Sequence, residues 1–342
     1  MAAPWSRFHL RLHRLLLRRP QLLPQHSTLL LAVSGGQDSM ALVGLLRDLQ
    51  RLHHWRLMLW HGDHGWRPES AEQASALAAW AAAEGLPLEL KRWPAPQPDE
   101  AAARQWRLAC LQHQAAQAGA SRVVTGHTAS DRAETLLLHL ARGTHRRGLA
   151  SLRPLRPLDG TVQLARPLLV FSRSETAQIQ QQLRLPVWSD PSNDNPRFSR
   201  NRIRAEVMPV LEALHPGASR RLAGLSSRLA DEQDSQEQLE QLALQSLLSH
   251  PNDPGAALGR RALMALQLGN RRRLLRAWLQ GQGHTNLAAE PLEQLLERLE
   301  LERGPGVLQL PGGHQLHWDR QWLRSSAGGG KQGPVPPPSQ PP

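Results

Sequence analysis

Ser34-Gly35-Gly36-Gln37-Asp38-Ser39 lies between a short apolar run, residues 28–33, and a helical pattern. Two glycines let the backbone turn tightly and approach a ligand, and the unpaired N–H groups at the start of the helix face it. With Ser34 and Ser39 adding hydroxyl donors, the segment is a cradle for an anion. Asp38 is out of place beside a phosphate unless a divalent cation lies between them, which points to Mg²⁺. The loop lacks the Gly-Lys-Ser/Thr ending of the ATPase phosphate loop, and it is not the dinucleotide fingerprint. Taken alone it reads equally as a helix cap in which Asp38 favours the dipole.

Three further groups could carry chemistry. His61, Asp63 and His64 fall near the end of a second strand, where open parallel sheets bind ligands. They suit a nucleotide, a metal or a substrate, or form a local turn network; a structural zinc would lack its fourth ligand. His127, Asp131 and Glu134 are spaced i, i+4, i+7 and share one side of a helix. That face could receive a cationic amine or a metal, or be solvated. Arg104 and Arg107, at i and i+3, suit phosphate contact or open solvent. Arg197, Arg200, Arg202 and Arg204 cluster with Asn193 and Asn201 around Phe198, a pattern that fits RNA backbone contact. A second run, Arg271, Arg272, Arg273 and Arg276, could extend that surface.

Positioning these residues requires a scaffold, and strands alternate with helices from residue 28. Strands are predicted over 28–33, 56–60, 86–93, 122–125 and 162–165, with helices over 39–50, 70–84, 99–118, 129–142 and 172–183. The alternation implies crossovers and a parallel sheet of about five strands with helices on both faces. Near Pro216 the pattern becomes mainly helical, over 219–250, 259–280 and 288–303, followed by a hairpin of 307–310 and 315–318. The expected organisation is an N-terminal helix, 1–27, packed on the main domain; an α/β catalytic domain, 28–216; a smaller, mainly helical domain, 217–326; and a disordered Gly/Pro-rich tail, 327–342. The acid-free start, with five arginines before Pro20, has a transit-peptide composition. Phe8, Leu12, Leu15 and Leu16 recur at helical spacing instead.

The chain has 342 residues, 40% hydrophobic and 20% charged, which suits a multi-domain globular protein. No run approaches a membrane span. Its one cysteine, Cys110, excludes an intrachain disulfide framework and a four-cysteine cluster, and points to a reducing, cytoplasmic setting. A net charge of +12 favours a polyanionic partner. Only Lys91 and Lys331 are lysines, so GC-rich codon usage explains part of the arginine excess, though not the deficit of acids.

Ser-Gly-Gly-x-Asp-Ser after a first strand resembles the signature of the PP-loop ATP pyrophosphatases, with their adenine-nucleotide-hydrolase-like fold. Four more segments, in order, resemble the tRNA(Ile)-lysidine synthetase family. They are His61-Gly62-Asp63-His64-Gly65-Trp66-Arg67; Ala103-Arg104-x-x-Arg107; Thr125-Gly126-His127 through Asp131 and Glu134 to Arg142-Gly143; and Asp190-Pro191-Ser192-Asn193 leading to Arg200-Asn201-Arg202-Ile203-Arg204. The likeness spans residues 8–215. It departs at Thr128, Ser130 and Arg132, where the family commonly has His, Asp and Gln.

The resemblance implies an ATP-dependent ligase. The 2-oxygen of the wobble cytidine of tRNA(Ile), CAU anticodon, is adenylated with release of pyrophosphate, and free lysine then displaces AMP. Ser34, Gly35, Gly36, Gln37, Asp38, Ser39, Asp63 and His64 would bind ATP, with Mg²⁺ at Asp38. Asp38, Arg104, His127, Asp131 and Glu134 would be catalytic, Arg104 answering developing charge. Arg197, Arg200, Asn201, Arg202 and Arg204 would bind tRNA. No membrane is expected, and a homodimer stays open. Two other readings remain: a PP-loop tRNA thiolase, which the lone Cys110 disfavours, and an inactive RNA-binding relative, which the intact loop disfavours.

Overall fold

The computed structural model describes residues 5–66, 69–95, 99–188, 198–250, 253, 255–284, 289–310 and 314–326. Two compact units, Met1–Gln233 and Asp234–Pro342, divide within one helix. The Gly/Pro-rich tail, 327–342, lies outside the described residues, as do Arg67, Asp190–Asn193 and Arg197.

In the first unit, strands β1 (Thr28–Ala32), β2 (Arg56–Asp63), β3 (Leu88–Arg92), β4 (Arg122–Thr125), β5 (Leu155–Asp159) and β6 (Val162–Ala165) form one sheet in the order β3-β2-β1-β4-β6-β5. Five strands are parallel, joined by helices α2 (Gln37–His53), α3 (Ser70–Ala83), α4 (Glu100–Ala118) and α5 (Ala129–Ala141). Leu29, Leu30 and Leu31 are all fully buried because both faces of β1 are covered. Leu29 and Leu31 join a core with α2 residues such as Leu42 and Leu46, whereas Leu30 packs with Leu111 and Ala115 of α4. Helix α1 (Arg7–Arg18) adds Phe8, Leu12 and Leu16 to the first core, one turn apart each, and Ser6 caps its N-terminus.

The sixth strand, β5, pairs antiparallel with β6 across a turn at Gly160, whose φ is +46°. Sequence pattern missed it because Pro154 and Pro157 interrupt the run. An edge strand tolerates proline, since one row of its backbone groups has no partner strand. A short helix, α6 (Arg146–Leu149), precedes β5, and α7 (Arg173–Gln182) follows β6, capped by a Ser172/Glu175 box. Then follow α8 (Ser199–Arg202), a π-helical turn (Ile203–Val207) and α9 (Met208–Leu214).

Helix α10 (Ala218–Leu247) leads into the second unit, which holds α11 (Arg260–Met264), α12 (Leu268–Gly281) and α13 (Ala289–Arg298). Its expected hairpin, β8 (Gly306–Gln309) with β9 (Gln315–Trp318), is part of a larger sheet. Strands β7 (Leu258–Gly259) and β10 (Trp322–Ser326) complete an antiparallel order β7-β10-β9-β8. Leu258, Leu275, Leu295, Leu316 and Leu323 form its core. Beside that core Arg260 is buried, with its guanidinium donating to the carbonyls of Leu299, Glu300, Arg303 and Asp319 at 2.6–2.9 Å. One side chain thus closes the end of α13 onto the turn before β10. Arg260→Met keeps most of the volume and leaves four carbonyls without that donor. It should lower unfolding stability by roughly 3 kcal/mol, measured by denaturant titration. A change below about 0.5 kcal/mol would mean that water replaces the guanidinium fully.

Candidate active site at the carboxyl edge of the sheet

Ala32 of β1 is in register with Trp60 of β2 and Thr125 of β4. The segments following these three residues therefore leave the sheet at one edge. The β1–α2 loop is cinched by its own serines. Ser39 Oγ donates to the Gly36 carbonyl at 2.8 Å and lies 3.2 Å from Ser34 Oγ, which accepts from Gly36 N–H at 3.3 Å. Gly35 has φ +82°, and a Cβ there would sit 3.2 Å from the Trp188 ring, so the position needs glycine. Gly36 begins α2 with no side-chain cap, which leaves the helix N-terminus to a ligand. Gly126, after β4, approaches so closely that a Cβ would lie 2.9 Å from the Asp38 carbonyl oxygen. The β4–α5 loop and the Gly-rich loop are thus packed backbone to backbone.

Asp38 points toward α7. One carboxylate oxygen accepts from Thr176 Oγ1, and the other is 3.3 Å from an Arg173 guanidinium nitrogen. Gln37 Nε2 donates to the Arg173 carbonyl and to Thr176 Oγ1 at 2.7 and 2.9 Å. Burial pushes the Asp38 carboxyl up, and the charge of nearby Asp131 raises it further, against Thr176, Arg173 and Arg204. Arg173 and Thr176 were not singled out from the sequence. The Ser-x-x-Glu box located their helix, but no local signal says that it meets a residue about 135 positions earlier.

Of the expected His127–Asp131–Glu134 face, α5 carries only Asp131 and Glu134; His127 precedes the Thr128 cap and lies outside the helix. Thr128 caps α5: its backbone N–H and hydroxyl both donate to Asp131 Oδ2, at 2.6 and 2.8 Å. The other Asp131 oxygen accepts from Arg200 at 2.7 Å, with Arg204 at 3.5 Å. Glu134, 2% exposed, takes Arg200 Nε on Oε2 at 2.9 Å and a two-pronged contact from Arg204 at 2.8 and 2.9 Å. Two arginines expected at RNA therefore have their guanidinium groups on site carboxylates. Arg202, from the same run, pairs with Glu206 on the surface. Asp131 stays ionised: burial raises its pKa, but Arg200, His127 and the Thr128 hydrogen bonds leave it below the ordinary value. His127, bonded to Thr125 Oγ1 at 2.8 Å, is pushed down to about 3 by desolvation and by Arg166, Arg200 and Arg107, despite Asp131.

The positions departing from the family pattern also have partners. Thr128 supplies the cap, Ser130 Oγ accepts from Arg173 N–H at 3.1 Å, and buried Arg132 donates to the Leu152 carbonyl. Arg104 and Arg107 are exposed on the first turns of α4. Arg104 is near enough to Arg156 and Arg166 that its charge lowers both their pKa values, Arg166 to about 10, where desolvation is the larger cause. Asp63 accepts from Gly65 N–H at 2.8 Å and lies 3.6 Å from Arg92, while His64 joins a group of tryptophans. In the second unit Arg271, Arg272 and Arg273 bond to Leu266 O, Glu293 and Glu240.

A Gly-rich loop opening a helix at the edge of a parallel sheet, faced by buried acids on the next crossover, is the arrangement of a PP-loop nucleotide enzyme. Residues 6–211 match the model of the PP-loop domain. A tRNA(Ile)-lysidine synthase of Parasynechococcus marenigrum (strain WH8102) is 55% identical over 326 residues, covering 93% of this chain and 94% of the relative. One from Synechococcus sp. (strain ATCC 27144 / PCC 6301 / SAUG 1402/1) is 45% identical, over 94% and 97%. The chain belongs to the tRNA(Ile)-lysidine synthase family. Among solved structures, the U34-tRNA thiolase NcsA from Methanococcus maripaludis, with its [4Fe-4S] cluster, superposes with TM-score 0.55 at 18% identity. It covers 66% of this chain and 78% of its own, a likeness of fold.

The His127 shift has a definite sign. An imidazole with an ordinary value of 6.5 unfolded and about 3 folded contributes stability that is complete above pH 6.5 and is lost as pH falls toward 3. His127→Gln, which cannot titrate, should flatten the melting-temperature curve across that window. Parallel curves for wild type and variant would place the imidazole in water.

Proposed function

We propose that this enzyme joins free lysine to the wobble cytidine of a tRNA(Ile) with a CAU anticodon. In the first step the cytidine 2-oxygen attacks the α-phosphorus of ATP, the bond to the β-phosphate oxygen breaks, and pyrophosphate leaves. In the second, lysine Nζ attacks C2, the C2–O bond breaks, AMP leaves, and the amine gives up its proton. The observation that carries this reading is the pair of buried acids on α5, Asp131 and Glu134, beside the Gly-rich loop.

The loop from Ser34 to Ser39 cradles the phosphates with its backbone N–H groups. Asp38 suits Mg²⁺: it is a part-buried carboxylate at the Gly-rich loop whose pKa is raised by burial and by the charge of Asp131, and a cation beside it would favour its ionised form. Among the described residues no three His, Cys, Asp or Glu side chains gather as a metal cluster. The phosphates would complete the shell, as is usual for this ion, and the ion would offset phosphate charge during the first step. Arg104, with Arg156 and Arg166 beside it, answers the charge of departing pyrophosphate. Asp63 and His64 border the nucleotide from β2.

An ammonium entering a partly dry pocket needs a compensating anion. Asp131 Oδ1, where Arg200 is 36% exposed, is the exchangeable position. An acid held below its ordinary pKa anchors an ammonium better than it removes a proton, so electrostatic anchoring is the role assigned to Asp131. Glu134, one turn on and tied to Arg200 and Arg204, supports it. Arg197, Asn201 and Arg202 would meet the tRNA backbone, while Arg200 and Arg204 hold the acids of α5. An anticodon loop presents its bases already unpaired. A thiolase reading is disfavoured by the single cysteine, Cys110, whose thiol burial pushes up. Among the described residues no helix is long and apolar enough to cross a membrane.

Two sets of variants test the division of labour. Asp38→Asn should abolish nearly all pyrophosphate release while RNA affinity stays within about twofold, and equal release would remove Asp38 from the nucleotide site. Asp131→Ala and Glu134→Ala should raise the lysine concentration needed for half-maximal transfer by about tenfold or more, with ATP binding little changed. Wild-type lysine dependence would make this face structural, and an equal loss of ATP affinity would make it a nucleotide site.

A further inference from the structure

Four of the eleven tryptophans gather at one place, beyond the ends of β2 and β3 and beside the start of α4. Trp93 and Trp106 stack with ring centroids 5.6 Å apart and planes 12° from parallel. Trp106 also lies 6.1 Å from the buried ring of Trp60. His64 presents its edge to Trp106 at 5.2 Å and to Trp93 at 6.0 Å, and Trp66 stacks on His64 at 5.1 Å with 26° between planes. The group is built into the fold. A Cβ on Gly62 would lie 2.5 Å from Trp60 and 3.1 Å from Trp106, so glycine at the end of β2 is what admits both indoles. The Trp93 backbone N–H donates to the Asp63 carbonyl at 2.8 Å, continuing the β2–β3 pairing up to the residue that carries the outer ring.

A core cluster would bury its largest rings. Here Trp66 keeps 42% of its surface exposed, and Trp93, Trp106 and His64 are half-buried. Arg92 and Arg104, both exposed, belong to the same segments of β3 and α4 as Trp93 and Trp106. A part-exposed aromatic ring backed by further rings suits an unpaired base, because every base has a π-face.

We propose that Trp66, backed by His64, Trp93 and Trp106, is a stacking shelf for an unpaired nucleobase of the RNA substrate. The proposal rests on the RNA-modifying reading above and adds a recognition element to it. The shelf lies on β2, β3 and α4, whereas the carboxylate face lies on α5 across β1. A base adjoining the reactive one can therefore stack while its neighbour enters the pocket.

The test uses the full chain and an anticodon stem-loop RNA with an unpaired CAU. Trp66→Ala should weaken RNA binding about tenfold, and Trp66→Phe should restore it to within about twofold. The slope of log affinity against log salt should be unchanged in both, since no phosphate contact is removed. ATP affinity, measured separately, should also be unchanged. Wild-type RNA affinity in Trp66→Ala, or failure of Phe to rescue it, overturns the shelf. Loss of ATP affinity in place of RNA affinity also overturns it, by giving the ring to adenine. Failure of the ligase reading is distinguishable: RNA binding would still depend on Trp66 while no lysine enters the RNA.

Discussion

Glu134 is buried between two guanidinium groups that arrive from 66 and 70 residues further along the chain. A carboxylate so enclosed is tolerable only when its charge is matched, and Arg200 and Arg204 match it with bonds of 2.8–2.9 Å. That ion-pair group ties α5 to α8 and the π-helical turn. It also fixes Asp131, whose second oxygen is already committed to the helix cap. Asp131 in turn lies close enough to Asp38 to alter its proton affinity, so charge is balanced across the site as a whole.

This balance gives the edge of the sheet two electrical characters. On the side of α5 and α7, Asp38, Asp131 and Glu134 are paired with arginines and hydroxyls. On the side of α4, β5 and the end of β6, Arg104, Arg156 and Arg166 lie together, and His127 stands between the two sides as a neutral imidazole. A cationic amine and anionic phosphates can therefore enter one site without being drawn to the same groups.

Much of this was legible in the chain. Parallel strands betray themselves as short apolar runs between helices, and β4 matched its expected residues because Arg122–Thr125 is bounded by a glycine on either side of the strand region. The Gly-rich loop and the two acids of α5, Asp131 and Glu134, were visible because their signals are local. What stayed hidden depends on contacts across the sequence. β5 carries prolines that only an edge position allows. Arg173 and Thr176 look like ordinary first-turn residues of α7. Arg200 and Arg204 belong to an arginine-rich run that reads as RNA surface, and only the fold turns them onto Glu134. The tryptophans, scattered over residues 60–106, form a group only once β2, β3 and α4 are side by side.

The fate of lysine decides most directly what the site does. The full chain, incubated with ATP, isotopically labelled lysine and tRNA, can be followed by digestion of the RNA and mass analysis of its nucleosides. One labelled cytidine derivative carrying lysine through its side-chain nitrogen is expected, with AMP and pyrophosphate formed in equal amounts. Pyrophosphate release with every cytidine unchanged, or label absent from the RNA, would contradict lysine transfer.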